Sequence, residues 1–330
     1  MKNSMRFVIA GVLISGLFID FPGAFAQQGY PGRPIRVIHP LPAGGVIDLF
    51  LRGLSQAFAE RNGQNFLIES RPGANSIIAA ETCAKATADG YAICMLAKTT
   101  VSLNPSLYAK LSYDPVKSFE PITQLVVSQE VLVVSPSLPV STFRELVDYS
   151  RQHPGKINYA SSGVGSNVHL TLERVKHQTG ANFTHIPYKG AADTTQAFLS
   201  GDVHIMYLII GNPGVVAQIQ SGQSRALLVS GEARSPLLPG VPTFAEAGFA
   251  NMDAPNWFGM FAPAGTPKEI IGKLSSELSA ILRTPAFRDK FLTPRGFQGV
   301  GGTPDEFARF LVEDRKRGAE LVRISGARLD

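Results

Sequence analysis

Hydrophobic residues in the first third of the chain follow strand and helix spacings in turn. Residues 35–39 form a short β-branched run, and a break rich in proline and glycine follows at 40–45. Apolar side chains then recur at helical spacing from Ile47 to Phe58, and Gly63 can end that helix in the left-handed conformation. Further strands are predicted at 66–69 and 91–97, with a helix between them at 77–87. This alternation favours a parallel sheet.

The rest of the chain continues the pattern, with helix starts marked by capping residues. Thr142 with Glu145 fits a capping box, and Thr303 with Glu306 repeats the signal. Predicted strands lie at 122–127, 131–135, 157–160, 183–186, 203–208 and 226–230. Predicted helices begin near residues 142, 166, 190, 267 and 304.

One internal similarity predicts how these units are divided. Residues 131–136 and residues 257–263 each form an apolar strand that leads through a proline into a helix. Each resembles the first strand and helix after the chain changes lobe, so we place crossovers near Val127 and Ser230. The predicted fold is α/β with two lobes, each a mostly parallel sheet flanked by helices. The expected lobes are 27–126 with 231–330, and 127–230.

The first 26 residues have the pattern of a secretory signal peptide. Lys2 and Arg6 precede an apolar stretch at 7–21, and Ala24-Phe25-Ala26 fits the cleavage signal. We expect cleavage after Ala26 and export to the periplasm. An uncleaved anchor is the alternative, but the apolar stretch is short against the roughly 20 residues of a membrane span.

Charge and cysteine content narrow the classes of function. The formal net charge is +5, and removing the two positive charges and one negative charge of the signal peptide leaves +4. With no block of basic residues, the chain does not have the pattern of a nucleic-acid binder. Export permits a disulfide between Cys83 and Cys94, but two buried free thiols fit the sequence equally well. Neither cysteine has the companion ligands of a metal site.

Three loops that follow predicted strands combine glycine with small polar residues. They lie at 40–48, 161–166 and 187–193, and ligands of open α/β sheets bind beyond the carboxyl ends of strands. Each loop ends at a helix N-terminus, where free amide groups and the helix dipole favour an anion. Two lobes that present such loops to a shared cleft would bind a carboxylate. The predicted ligand-binding residues are Leu41, Ala43, Gly44, Gly45, Asp48, Thr99, Ser161, Ser162, Gly165, Ser166, His169, Lys189, Gly190 and Asp193.

Several of these residues also have a purely structural interpretation. Asp48 either forms a dipole-stabilising i,i+4 pair with Arg52, or it orders the Gly44-Gly45 loop or meets a ligand donor. His169 either reaches the cleft or is a packed, hydrogen-bonded residue, and Lys189 is either solvated or an anion contact. Ser166 is expected to cap its helix in any case.

Known catalytic and nucleotide-binding motifs are missing from the sequence. There is no G-x-S-x-G elbow, no HExxH motif and no Walker A sequence. The run Gly163-Val164-Gly165 starts like a dinucleotide fingerprint, but Val168 stands where the third glycine belongs. We therefore expect a binding protein without catalytic residues or cofactors. An exported enzyme acting on a small acid in the same cleft is the alternative.

A set of short motifs from about Tyr30 to the C-terminus resembles the tripartite tricarboxylate transporter receptors, also called Bug receptors. The matching segments are 34–35, 40–45, 48–52, 71–74, 89–91, 104–108, 154–156, 162–169, 187–190, 241–248 and 262–267. The resemblance implies a periplasmic binding protein of the venus-flytrap type, without metal or organic cofactor. It implies capture of a small organic or amino acid, through the loops at 41–48 and 162–166, for a membrane transporter or a sensor kinase.

Three departures from the family pattern bear on the ligand. Ile47 stands where a small hydroxyl residue is usual, Leu41 replaces a common Phe, and Asn75-Ser76 replaces a glycine-rich continuation. The resemblance and these departures together favour a more apolar pocket near the first helix. We expect a monomer that binds no nucleic acid.

Overall fold

The computed structural model describes residues 29–250 and 252–330, so the predicted signal peptide at 1–26 lies outside the described residues. The strands are β1 Ile35–His39, β2 Phe66–Ser70, β3 Ala92–Ala97, β4 Phe119–Ser128, β5 Glu130–Val134, β6 Asn158–Ser161, β7 Thr184–Pro187, β8 Ile205–Ile209, β9 Arg225–Val229, β10 Asn256–Pro263 and β11 Phe297–Gly301. The helices are α1 Val46–Asn62, α2 Ile77–Ala84, α3 Asn104–Leu107, α4 Phe143–Gln152, α5 Asn167–Thr179, α6 Ala191–Ser200, α7 Val215–Gln220, α8 Lys268–Leu282, α9 Pro285–Phe287 and α10 Pro304–Ser325.

The strands form two sheets, and both sheets are mixed. The first has the order β11-β4-β10-β3-β1-β2, and the second has the order β7-β6-β8-β5-β9. The three strands β2, β1 and β3 run parallel, but β10 and β11 pair antiparallel with their neighbours, as β5 does in the second sheet. The two-lobed α/β fold is confirmed, and most strands of each sheet run in one direction, with antiparallel pairing confined to contacts of β5, β10 and β11. The first strand after each lobe crossing, β5 or β10, runs opposite to the strands that helices connect within the same sheet.

Each sheet has an apolar core on both faces. In the first sheet, α1 and α8 cover one face around Phe50 and Leu278, and α2 and α10 cover the other around Trp257 and Phe307. In the second sheet, Phe143 of α4 and Phe198 of α6 lie in the cores of opposite faces. Because these helices bury apolar stripes against the sheets, the strand ends and their loops are fixed in place.

The chain passes between the sheets at two places. At the first, Gln129 alone separates β4 of the first sheet from β5 of the second. At the second, the chain leaves β9 and returns to the first sheet only at β10. The intervening segment still packs on the second sheet, because Phe244 and Phe249 lie against Phe143. The return therefore falls well after the expected crossover near Ser230.

Cys83 and Cys94 form a disulfide that joins α2 to β3 within the first lobe, with a Cα–Cα distance of 6.0 Å. The geometry lies within the range that a disulfide needs. The structure therefore has the disulfide and not two free thiols.

A small apolar cluster lies where elements of both lobes meet. Leu170 of α5 packs with Leu103, Leu107 and Leu321, which belong to segments flanking the first sheet. This contact brings the start of α5 against the first lobe. No helix within 29–250 or 252–330 combines the length and apolar character of a membrane span.

Candidate functional site

The first candidate loop connects β1 to α1 and is held from inside by one carboxylate. Gly44 has φ 77°, a value that favours glycine, and its amide donates to Asp48 Oδ2 at 3.1 Å. The same oxygen accepts from Arg52 Nε at 2.8 Å. Both interpretations of Asp48 therefore hold at once, since it forms the i,i+4 ion pair and also orders the glycine turn.

Hydrogen bonds to a buried carboxylate keep Asp48 charged. The side chain is almost fully buried, and His39 Nε2 lies 3.6 Å from Oδ1. Burial raises the pKa of Asp48, but the hydrogen bonds from Arg52 and the Gly44 amide outweigh it, so the net shift is downward. Burial lowers the pKa of His39, against the opposing influence of Asp48. The loop therefore rests on a carboxylate that stays ionised at neutral pH.

The second candidate loop connects β6 to α5 and is held from inside by two histidines. Gly165 has φ 80°, and its amide donates to His169 Nδ1 at 3.1 Å. Ser166 caps α5 and accepts from the His169 amide at 3.3 Å. Ser161 Oγ lies 2.6 Å from His185 Nε2 and accepts from the Gly163 amide at 3.1 Å. His169 thus adopts the packed, hydrogen-bonded arrangement.

These bonds leave a defined set of amides for a guest. The Gly44 and Gly165 amides are already donated to Asp48 and His169, so these glycines shape their loops. At the described starts of α1 and α5, the first-turn amides that donate to no protein acceptor are those of Val46, Ile47 and Asp48 in α1 and of Asn167 and Val168 in α5. Free first-turn amides are the groups that bind anions at helix N-termini.

The third candidate loop, between β7 and α6, is more open. Lys189 and Asp193 are exposed, and Gly190 accepts from the Thr194 amide at 3.1 Å as α6 begins. Leu41 and Gly45 are half-buried and Ala43 is exposed, whereas Ser162 is exposed and Thr99 is buried in the turn after β3. The exposed candidate residues are therefore Ala43, Gly44, Ser162, Lys189 and Asp193.

The second loop faces the first lobe at a close contact that sequence reasoning did not identify. A Cβ atom placed on Gly165 would lie 2.7 Å from Leu107 Cδ1 and 3.3 Å from Asn75 Nδ2. Asn75 has φ 50°, and a reciprocal pair of 3.0 Å hydrogen bonds with Asn104 fixes it. The sequence did carry one signal for this contact, because Asn75 stands where the family pattern has glycine. The contact brings the two lobes together beside the second loop.

A cluster of buried charges lies where the chain passes between lobes. Lys98 Nζ donates to the Pro255 carbonyl at 3.1 Å, and Glu130 accepts from Asn167 at 3.3 Å. Burial, and then the charge of Asp253, raise the pKa of Glu130 to about 8. Burial lowers the pKa of Lys98. Sequence reasoning missed this cluster because its members are far apart in the chain and lie at the ends of apolar strands.

The arrangement does not resemble a hydrolase centre. Ser161 is buried, and its Oγ is engaged by both Gly163 and His185. The nearby Glu173 accepts from Tyr159 and Lys176 rather than orienting His185. Among residues 29–250 and 252–330, no cluster of three or more His, Cys, Asp or Glu side chains could hold a metal ion. Trp257 is buried in the first-lobe core, and its Nε1 donates to Asp314 Oδ2 at 2.8 Å.

The fold is that of a two-lobed binding protein. It has two mixed sheets, two passages of the chain between them, and candidate ligand loops at strand ends in both lobes. The sequence profile described as "Tripartite tricarboxylate transporter family receptor" matches residues 50–326. The chain belongs to the tripartite tricarboxylate transporter receptor family. BugT of Bordetella pertussis is 32% identical over 96% of this chain and 97% of its own length.

Solved structures of the family superpose over most of the chain. Rpa4515 of Rhodopseudomonas palustris with adipate gives a TM-score of 0.83 at 32% identity, over 91% of this chain and 100% of that one. The periplasmic binding protein BugD gives 0.81 at 31% identity, over 91% and 99%. MatC of Rhodopseudomonas palustris with bound malate gives 0.78 at 28% identity, over 89% and 100%. The chain is therefore a receptor-family protein whose relatives bind small carboxylates.

Proposed function

We propose that the mature chain captures a small dicarboxylate in the periplasm and releases it unchanged to a membrane transporter or a sensor. The observation that carries the proposal is the pair of loops, one from each lobe, that end at helix N-termini with unused first-turn amides. The adipate and malate bound to relatives support a dicarboxylate as the ligand class. Export follows cleavage after Ala26, and the receptor acts as a monomer without cofactor.

The ligand would lie between the lobes and draw them together. Among the described residues, we assign 29–128 and 256–330 to the first lobe and 129–250 with 252–255 to the second, following the sheet to which each segment belongs. Binding residues come from the three loops and the turn after β3. They are Leu41, Ala43, Gly44, Gly45, Asp48, Thr99, Ser161, Ser162, Gly165, Ser166, His169, Lys189, Gly190 and Asp193. Gly44, Gly165 and His169 act through loop shape, and Lys189 supplies a positive charge at the rim.

The pocket beside α1 should favour the less polar acids. Ile47 is fully buried in the first-lobe core, so it offers neither a hydroxyl nor a charge to the ligand. We therefore expect adipate, with its longer methylene chain, to bind more tightly than malate, whose hydroxyl needs a hydrogen-bond partner.

The test is a calorimetric and thermal-shift titration of ligand-free protein with adipate and with malate. At 100 times the dissociation constant, a bound ligand adds about 2.7 kcal/mol to the free energy of unfolding. NMR spectra of the ligand before and after incubation measure whether it is consumed. Stabilisation without consumption supports a receptor, whereas consumption would favour the enzyme alternative.

A matched pair of charge substitutions locates the site. Val164 is partly exposed in the second loop, and Val116 is exposed in the first lobe, on a turn between α3 and β4. Val164→Asp puts a negative charge beside the anion and should weaken adipate binding by at least about tenfold, or roughly 1.4 kcal/mol. Val116→Asp adds the same charge elsewhere and should leave binding unchanged. Equal effects of the two substitutions would count against this location.

A further inference from the structure

Two imidazole rings stack directly behind the second candidate loop. The ring centroids of His169 and His185 are 4.1 Å apart with an interplanar angle of 22°. Tyr159 stacks on His185 at 4.9 Å. We call His169 and His185 the histidine pair. His169 lies on α5 and His185 on β7, so the pair joins two elements of the second lobe at the point where the loop leaves β6.

Each ring of the pair holds one end of the loop. His169 Nδ1 accepts from the Gly165 amide at 3.1 Å, near the start of α5. His185 Nε2 lies 2.6 Å from Ser161 Oγ, which also accepts from the Gly163 amide at 3.1 Å. The pair therefore fixes the backbone between Ser161 and Gly165 through two independent contacts. Neither contact is part of the cap of α5 or of the hydrogen bonding between β6 and β7.

The contact to Gly165 requires an uncharged ring. A proton on His169 Nδ1 would turn the acceptor into a donor and set it against the Gly165 N–H group. Two charged rings stacked at this distance would also repel each other. Little nearby charge offsets this, because Glu173 is already engaged by Lys176 at 2.8 Å and by the Tyr159 hydroxyl at 2.7 Å.

We propose that His169 and His185 are positioning residues whose neutral, stacked form holds the loop in its anion-binding shape, and whose protonation in mild acid releases the loop and the carboxylate. This inference rests on the proposed function. His185 was not among the residues expected from sequence, and neither ring needs to touch the ligand.

The direction of titration agrees with this role. Burial, and then the charge of His169, lower the pKa of His185 to about 4, and burial lowers the pKa of His169. A histidine with a lowered pKa in the ordered loop disfavours that loop wherever the free ring would be protonated. The loop is thus fully supported above about pH 6.5 and loses support as the pH falls toward about 4.

The test measures the dissociation constant of adipate from about pH 7.5 to about pH 5 for the wild type and for non-titrating variants. His169→Asn keeps an acceptor near Nδ1, and His185→Gln keeps a polar group near Nε2. Each protein is compared with its own affinity at about pH 7.5: at the acid end the wild type should lose about tenfold more adipate affinity than the double variant loses. Protonation of adipate itself affects both proteins equally. His153→Gln, at an exposed histidine of the same lobe, is the control and should keep the wild-type profile.

Hydrogen exchange of the loop gives a readout that needs no ligand. The Gly165 amide should lose protection in the wild type as the pH falls, after correction for intrinsic exchange, and should keep it in the double variant. A wild type that binds adipate more tightly in acid, or a double variant with the wild-type pH profile, would overturn the inference. If the wild type binds no carboxylate at any pH, the proposed function fails, and the exchange profile still decides whether the pair holds the loop.

Discussion

The two lobes hold their candidate ligand loops by the same device with different chemistry. In each loop a glycine with positive φ donates its amide to a side chain four residues later, Gly44 to Asp48 and Gly165 to His169. The first acceptor is a carboxylate that stays charged, and the second is an imidazole that must stay neutral. The backbone pattern can therefore repeat across lobes while the response to pH differs between them.

The largest effect should follow from removing the charged acceptor. Asp48→Ala leaves the Gly44 amide, Arg52 and the buried His39 without their shared partner. We expect a loss of about 3 kcal/mol in the free energy of unfolding, because hydrogen bonds to buried charges are among the strongest. Denaturant unfolding measures it, with Leu49→Ala, on the exposed side of the same helix turn, as the control. A loss below about 1 kcal/mol would show that Asp48 does not hold the loop.

The crossing between the lobes should respond to pH in the direction opposite to the histidine pair. Because the pKa of Glu130 is raised to about 8 in the fold, the folded state holds a proton that the unfolded chain releases above about 4.5. Stability from this group is complete below that value and is lost as the pH rises through 8. From about pH 5.5 to about pH 7 the loss should be about 2 kcal/mol in the wild type.

Glu130→Gln isolates that contribution. The amide keeps the shape of the protonated side chain but cannot lose a proton, so the variant should lack this part of the pH dependence of unfolding. A variant whose unfolding free energy followed the wild-type pH profile would contradict the assignment of a neutral Glu130.

Matched substitutions at the two glycines should separate backbone strain from contact between lobes. Both have positive φ, so an added Cβ costs roughly 1 kcal/mol at either position. At Gly44 nothing lies within 4 Å of the added atom, whereas at Gly165 it would meet Leu107 at 2.7 Å. Gly165→Ala should therefore lose about 1–2 kcal/mol more than Gly44→Ala in unfolding experiments. Equal losses would mean that Leu107 moves aside freely.

The smallest effect should come from the helix cap that only the second loop has. Ser166 caps α5 with its hydroxyl, whereas Gly45 before α1 has no side-chain cap. Ser166→Ala should cost about 1 kcal/mol in thermal or denaturant unfolding, and Ser166→Thr should keep most of it. If Ser166→Ala left the free energy of unfolding unchanged, the hydrogen bond between Gly165 and His169 would be sufficient to fix the helix start.

Local patterns predicted the elements well because their signals lie within short stretches of sequence. Thr303 and Glu306 form the capping box, and Gly63 ends α1 in the left-handed conformation. Prediction of the elements failed where a strand depends on contacts distant in sequence, or where its residues have low strand propensity. β11 contains Gly299 and Gly301, which weaken any strand pattern, and only pairing with β4 makes it a strand.

The candidate site was predictable in outline but not in detail. Strand-end loops rich in glycine pointed to the right segments, and Asp48 was expected to order one of them. The partner of Ser161 is His185, which lies one strand away in the sheet, so no local spacing reveals it. Sequence also could not show that the Gly44 and Gly165 amides are already used within their loops.

One titration tests most directly whether amides from both lobes bind the same carboxylate. Adipate is titrated calorimetrically into the ligand-free wild type, and into Ala43→Asp and Val164→Asp, each of which adds a negative charge to one loop. We expect one-site binding to the wild type and at least about tenfold weaker binding by each variant. Wild-type protein that binds no carboxylate, or binding weakened by only one of the two substitutions, would contradict it.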